Sequence, residues 1–490
     1  MTTTQAPSTA AADAAPGLDA ATLKVAAVVV LGAIMSILDT TVVAVAQNTF
    51  QEVFSTSAAN AAWTATGYTL ALAAVIPLSS WATARFGTKN VYLTSLVLFV
   101  IGSVLCAFAW NIGSLVAFRM LQGAGGGMLM PVGMMILTRA AGPERVGSIM
   151  AVLGIPMLLG PIAGPILGGV LIEYVSWHWI FLINVPIGIL AILYSAWILP
   201  GDEEKTKPSF DFVGLLLLSP GLAVFLFGVS SSNEAGTFLA AKVLIPMAIG
   251  AVLIVAFVTH ALRGKKPLLD LRLFTNRTLS ITIITFTFFL IAFFGASLLF
   301  PQYFIGVRGE STLMAGLLVA PQGIGAMITM PIAGRMTDKI GPGKFVLTGI
   351  VLIAIGLGAF MFLGSDTSYW LLGGALFVQG LGMGMSMMPM MSAALATLKA
   401  ESVADGSTLV NVVQQTAASI GTAVISVILA SNLKSLVPPT PSAAAGAFGD
   451  TFVVAVVLIA ICLVPAFFLP RKKIAVATPD GEPAAPVMMH

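Results

Sequence analysis

Charge is scarce in this chain. Asp, Glu, Lys and Arg together make up 9% of its 490 residues, against 58% hydrophobic residues and a mean hydropathy of +1.00. That balance excludes a soluble globular protein and leaves an all-α, polytopic membrane protein. A transmembrane β-barrel would show short alternating segments, not long apolar runs. Cysteine is nearly absent, and Cys106 and Cys462 both fall inside apolar runs, which argues against a disulfide framework or a cysteine metal site. The histidines are His178 at an outer helix end, His260 at an inner helix end and His490 in the tail. With no nucleotide-binding loop, metal-ligand cluster or nucleophile–base pair, neither ATP-driven work nor enzyme chemistry is expected, and the expected cofactor set is empty. No nucleic-acid partner is expected either.

The apolar residues fall into windows of about twenty, starting near Val25, Ala61, Val91, Ile112, Val146, Trp179, Phe212, Leu239, Leu279, Thr312, Phe345, Trp370, Ser407 and Thr451. That gives about fourteen transmembrane helices with both termini on one side. Of the 23 Lys and Arg, about nineteen then fall on the side of the termini, three (Lys242, Arg308, Lys434) on the other, and one, Arg119, within a span. The positive-inside rule reads that bias as cytoplasmic termini. The Thr/Ala/Pro-rich residues 1–24 have no basic n-region and read as a disordered cytoplasmic tail rather than a signal peptide; 471–490 reads likewise. The segment Lys434 to Asp450, rich in Pro and Ala, reads as an outer loop.

Two charges sit deep in the spans: Asp39 in the first and Arg119 in the fourth. Each lies some seven to nine residues from the outer end of its helix, a depth of roughly 10 to 14 Å at 1.5 Å per residue. They can meet. Ionisable groups at this depth are costly unless paired, so they mark a functional site by default. Burial favours the neutral form of an acid and a close guanidinium favours the carboxylate, so a conformational change that alters their separation switches proton affinity. The blander reading is an ion pair that only locks helices, with Arg119 packed on the Gly125-Gly126-Gly127 face.

A short repeat is visible. Ala84-Arg85-Phe86-Gly87-Thr88-Lys89 follows the second span and Asp338-Lys339-Ile340-Gly341-Pro342-Gly343-Lys344 the tenth, each a basic turn with glycine for a tight reversal. With spans 7 and 8 taken as an insertion, both turns follow the second helix of a six-helix bundle, the parallel-repeat layout of a secondary transporter. The boundaries read 25–200 for the first bundle, 201–277 for the insertion and connector, and 278–470 for the second bundle. The fifth span carries Gly160, Pro161, Gly164, Pro165, Gly168 and Gly169; glycines every four residues make one smooth face for close helix approach, and the prolines bend it.

At this point the chain resembles the antiporter motif of the major facilitator superfamily. The run Leu38-Asp39-Thr40-Thr41-Val42-Val43 is similar to the first-helix signature of its fourteen-helix drug:proton antiporters, the EmrB/QacA type. Arg119-Met120-Leu121-Gln122-Gly123-Ala124-Gly125, the run from Trp179 to Gly188 and Pro267-Leu268-Leu269-Asp270-Leu271-Arg272-Leu273-Phe274 resemble further segments of the same family in order. The resemblance covers roughly residues 25 to 470. It implies a bacterial inner-membrane antiporter that exports lipophilic compounds, with cations the expected class, in exchange for protons, with Asp39 and Arg119 coupling the two and a cytoplasmic gate at Arg85, Gly87, Lys89, Asp338, Lys339 and Gly341. Some relatives use a periplasmic adaptor; whether this chain does stays open. It departs from the family pattern in having Ser80 and Ala84 where Gly and Asp are usual, so the first-half acidic latch is expected to be missing. Gln47-Asn48 replaces a usual Leu-Pro pair.

Candidate substrate contacts are Tyr68, Gln122, Met128, Gln322, Met385, Asn411, Gln414 and Gln415. The last three belong to a polar stripe on span 13, which reads equally as interhelical hydrogen bonding. Methionine suits promiscuous apolar surfaces and is also an ordinary gap filler. Asp405 reads as an N-cap of span 13. Export of an endogenous lipid or metabolite, and a non-transporting receptor on the same fold, remain as alternatives.

Overall fold

The structure is a computed structural model and describes residues 19–142, 145–201, 209–264, 267–436 and 440–472. Among them the chain is all helix, with no strand. The long helices are α1 (Ala20–Val45), α2 (Asn60–Phe86), α3 (Thr88–Ala107), α4 (Ile112–Ala141), α5 (Val146–Tyr174), α6 (Trp179–Ile198) and α7 (Phe212–Ala235). They continue as α8 (Ala241–Arg263), α9 (Arg277–Gly306), α10 (Leu313–Ile340), α11 (Gly343–Phe362), α12 (Tyr369–Ala396), α13 (Val403–Lys434) and α14 (Pro441–Ala466). Thirteen are long and apolar enough to cross a membrane on their described residues; α5, 29 residues long, makes the fourteenth long helix. Helices α1–α6 and α9–α14 form two six-helix bundles and α7–α8 an inserted hairpin, so the chain is a multi-pass membrane protein.

Both described chain ends lie on one side, here the terminal face. There Thr22 Oγ1 donates to Ala140 O at 3.4 Å, and Gly343 N donates to Pro470 O at 2.9 Å. Two turns on this face reverse through glycine with positive φ, Gly87 at 90° and Gly341 at 86°, a region that side-chain-bearing residues rarely adopt.

Helix ends differ from expectation where a cap overrides hydropathy. Asp19 accepts from Thr22 N at 3.0 Å, so α1 begins at Ala20, inside the segment read as a tail. Thr440 accepts from Ala443 N at 3.2 Å and Pro441 takes the first turn, so α14 starts ten residues before the apolar run and removes most of the expected outer loop. Asp405 is not a cap: it lies inside the first turn of α13, whose N-cap is Ser402. Residues 1–18 and 473–490 of the expected tails, and 202–208 of the expected inner loop, lie outside the described residues.

A second repeat emerges in space. Gln122-Gly123-x-Gly125-x-Gly127-Met128 on α4 matches Gln379-Gly380-x-Gly382-x-Gly384-Met385 on α12. A Cβ on Gly123 would strike the Tyr68 carbonyl of α2, and one on Gly380 the Gln322 carbonyl of α10; Gly127 meets Leu72 O and Gly384 meets Ala326 O, each four residues on. The two bundles therefore share one glycine-mediated packing scheme, in which a lost side chain allows backbone contact.

The insertion is tied down at the terminal face by Asp211. Its Oδ1 accepts from Gly214 N at 2.8 Å and from His260 Nε2 at 2.8 Å, and its Oδ2 accepts from Leu268 N at 3.0 Å. One carboxylate thus joins the start of α7, the end of α8 and the connector. Burial pushes this acid up, but the bonds from Gly214, His260 and Leu268 outweigh it and hold the carboxyl below the usual range. A depressed acid contributes stability that is present above its unfolded value and lost as pH falls through its folded value. Relative to the intrinsic exchange rate at each pH, the Leu268 amide should therefore be protected at neutral pH and lose that protection on acidification below the usual carboxylate range. In Asp211→Asn the protection should be reduced and independent of pH, and protection in the unsubstituted protein that ignores pH would refute the assignment.

Candidate functional site

Asp39 and Arg119 meet inside the first bundle, each 1% exposed. Arg119 Nη1 donates to Asp39 Oδ2 at 2.5 Å and to Gln122 Oε1 at 2.6 Å, and Arg119 Nε donates to Thr64 O at 3.1 Å. The other carboxylate oxygen accepts from Gln122 Nε2 at 2.8 Å and Asn184 Nδ2 at 3.0 Å. Ser103 Oγ accepts from both amides, at 3.1 and 3.0 Å, and donates to Phe181 O at 3.0 Å. Helices α1, α2, α3, α4 and α6 all contribute. Asp39 lies six residues from the end of α1 and Arg119 seven from the start of α4, about 9–11 Å below the face opposite the termini.

Aromatic rings close the pocket. The guanidinium carbon stands 4.1 Å from the Tyr68 ring centroid and 5.9 Å from that of Phe181. Phe181 stacks on Phe50 at 6.3 Å, and Trp177 meets Phe50 edge-on at 5.9 Å, which puts an apolar lid between the pair and the opposite face. Phe50 belongs to a short helix, Gln47–Val53, and Gln47 ties the end of α1 to Thr64 on α2 at 3.1 Å.

The expected substrate contacts separate into two groups. Tyr68 and Gln122, read as substrate contacts, are 1% and 0% exposed and belong to the charged cluster, because close backbone packing of α4 against α2 and α3 turns both inward. Gln322 is 7% exposed and packed under α12. Asn411 is buried, bonded to Ser407 O at 2.8 Å and to Met134 of the first bundle. Met128, Met385, Gln414 and Gln415 are half-buried. Asn184 and Ser103 were missed; the run around Asn184 belonged to the resemblance, but no signal paired it with Asp39.

In the second bundle the matching positions are apolar or unpaired. Leu376 and Leu357 replace Arg119 and Ser103, and Gln379, which corresponds to Gln122, is fully buried with neither amide atom hydrogen-bonded among the described residues. The repeat thus carries one charged site and one unpaired buried amide.

The α5 glycines face α1. A Cβ on Gly160 would strike Ile37 and one on Gly164 would strike Thr41, whose Oγ1 donates to Gly160 O at 3.2 Å; Gly168 approaches Val42 at 3.3 Å, while Gly169 has open space. The side chains of Pro161 and Pro165 lie outside the described residues.

At the terminal face the bundles are joined twice. Asp338 accepts from Gly147 N at 2.9 Å, Ser148 N at 3.0 Å and Ser148 Oγ at 2.8 Å, so it caps α5 from the other bundle. Across the repeat, Ser80 donates to Asp405 and Ser79 pairs with Thr408 at 2.8 Å. The first-half acid expected to be missing at Ala84 is therefore supplied from the facing helix. Lys89 donates to Ala196 O and Leu199 O at 2.7 and 2.6 Å, binding α3 to the end of α6, while Arg85 and Lys339 are exposed.

Comparisons agree with this architecture. The Major Facilitator Superfamily profile matches residues 29–422. The chain is 46% identical to "Multidrug resistance protein B homolog" of Mycobacterium tuberculosis, over 93% of this chain and 91% of that one. It is 30% identical to "Putative multidrug resistance protein MdtD" of Escherichia coli, over 82% and 85%. Among solved structures it resembles the human organic anion transporter MFSD10 with a TM-score of 0.63 at 16% identity, over 89% and 99% of the two chains. It also resembles the proton:xylose symporter XylE with a TM-score of 0.58 at 16% identity, over 89% and 94%.

The two glutamines distinguish a bonded network from an unpaired amide. Gln122→Leu leaves buried charges short of partners and should cost about 1–3 kcal/mol or more, whereas Gln379→Leu removes an unpaired amide and should be neutral or stabilising. Thermal unfolding in detergent measures both; equal losses would contradict the assignment.

Proposed function

The chain belongs to the major facilitator superfamily, and from that premise we propose that it is a proton-coupled multidrug efflux antiporter of a bacterial inner membrane, exporting lipophilic cationic compounds. The relatives named for multidrug resistance support the multidrug part of this reading. The observation that supports the coupling is the buried Asp39–Arg119 pair: a carboxylate and a guanidinium share one pocket, and Gln122, Asn184 and the Thr64 carbonyl bond to them.

With cytoplasmic termini, supported by the placement of Lys and Arg, the joined terminal face makes this the outward-facing state. Asp338 of α10, bonded to α5, and Asp405 of α13, bonded to α2, close the inner gate. Substrate leaves the space between the bundles, where Met128, Met385, Gln414 and Gln415 offer adaptable contacts. Here both oxygens of Asp39 are bonded, to Arg119, Gln122 and Asn184. After substrate has left, α1 shifts against α4, Arg119 withdraws, and the isolated acid takes a proton from the outer side instead of remaining a bare charge in hydrocarbon; the bundles then rock and the proton is released inside when the next substrate binds. The inner gate can open only if the caps on α5 and the Ser80–Asp405 bond give way, so gate opening belongs to the rocking that follows proton binding.

Asp39→Asn should abolish uphill efflux driven by a pH gradient in proteoliposomes. Because it also leaves Arg119 unpaired, which costs about 3–5 kcal/mol in buried pairs, Asp39→Asn/Arg119→Gln serves as the neutral control: folded and equally uncoupled. Arg119→Ala should move the pH profile of substrate binding to higher pH, and Arg119→Lys, which keeps the charge without the planar fork, should fall between. Full coupling in the double variant would overturn the proposal.

A further inference from the structure

We propose that the wedge between α2 and the inserted hairpin is a binding site for one phospholipid of the leaflet on the opposite face, with its headgroup on Lys242, Lys434 and Glu234. Helices α7 and α8 are tightly paired: a Cβ on Gly250 would lie 2.5 Å from Phe225 N, and one on Gly228 would lie 2.7 Å from Met247 N. At its terminal half the hairpin packs on α13 through Leu218, Leu222 and Leu409. At its opposite half it touches α2 through the stacked rings of Trp63 and Phe227, 5.5 Å apart, and α8 stands away.

The result is a cleft of about 450 Å³ between Trp63, Phe227, Ile245 and Pro246, within the size range of ligand sites. Trp63 and Ile245 are 39% and 59% exposed, so the cleft opens sideways, where a bilayer supplies acyl chains. These residues lie three to eight positions from their helix ends, about 5–12 Å deep, the depth of the first part of an acyl chain.

The rim decides the headgroup. Lys242 Nζ and Glu234 Oε2 are 3.9 Å apart, too long for a hydrogen bond, and both are more than half exposed. The Lys434 ammonium lies over Gly236, two residues beyond Glu234. Two of the three basic residues that the sequence places on this face therefore lie at the same end of the hairpin, Lys242 beside Glu234 and Lys434 over Gly236. A phosphate bridging the lysines, with a headgroup ammonium on Glu234, matches a zwitterionic phospholipid; a purely cationic amphiphile would meet net positive charge. The lipid fills the seam between a fixed hairpin and the outer half of α2.

The test uses the full chain in detergent, titrated with phosphatidylethanolamine carrying brominated acyl chains, with tryptophan fluorescence as readout. Quenching should saturate, and Trp63→Phe should remove the saturable part. Ile245→Phe, which fills the cleft without adding a tryptophan, should abolish saturable quenching of Trp63. Lys242→Ala/Lys434→Ala should weaken apparent affinity roughly three- to tenfold, and brominated diacylglycerol, which lacks the headgroup, should bind at least as weakly. Quenching that is unsaturable, equal for diacylglycerol, or unchanged by Ile245→Phe would mean only general contact with the bilayer and would overturn the site.

Discussion

A carboxylate and a guanidinium held together out of water impose the strictest demand on this fold. An uncompensated charge in so dry an interior is expensive, so every oxygen of Asp39 must find a donor and Arg119 must find acceptors. Meeting that demand takes five helices: Thr64 from α2, Ser103 from α3, Gln122 from α4 and Asn184 from α6 surround the pair contributed by α1 and α4. Those helices come close enough only because glycines on α3 and α4 remove the side chains between their backbones. The aromatic lid of Phe50, Trp177 and Phe181 then keeps water out, which is what makes the separation of the pair consequential.

The two bundles show what is scaffold and what is chemistry. The glycine pattern of α4 recurs on α12 and meets the same neighbours four residues apart, so the backbone packing was kept. The polar filling was not: the second bundle has Leu357 and Leu376 at the corresponding positions. At the terminal face the division is subtler. Asp338 reaches from α10 to α5, whereas the symmetric contact has its acid on α13 and its hydroxyl, Ser80, on α2. One interaction type survives with donor and acceptor helices exchanged.

Hydropathy alone carried the spans, and the depth of Asp39 and Arg119 carried the idea that they meet, because cost in hydrocarbon is a one-residue property. The turn glycines were equally legible, since Gly87 and Gly341 adopt positive φ. What the chain concealed depends on pairing between distant spans. Gln122 read as a cavity residue because its rotation about α4 is set by Gly102 on another helix, not by its neighbours in sequence. Asp405 read as a cap because its partner, Ser80, lies 325 residues away. The start of α14 was hidden by composition: an Ala-rich turn capped by Thr440 looks like loop until the cap is seen.

The central claim is that Asp39 exchanges a proton when substrate binds. Protein purified in weakly buffered detergent, mixed with a lipophilic cation while a pH dye reports released protons, tests it without any membrane gradient. The account predicts release of about one proton per bound substrate at a pH where the free protein is protonated, and none from Asp39→Asn that still binds. Equal release from both proteins would contradict it.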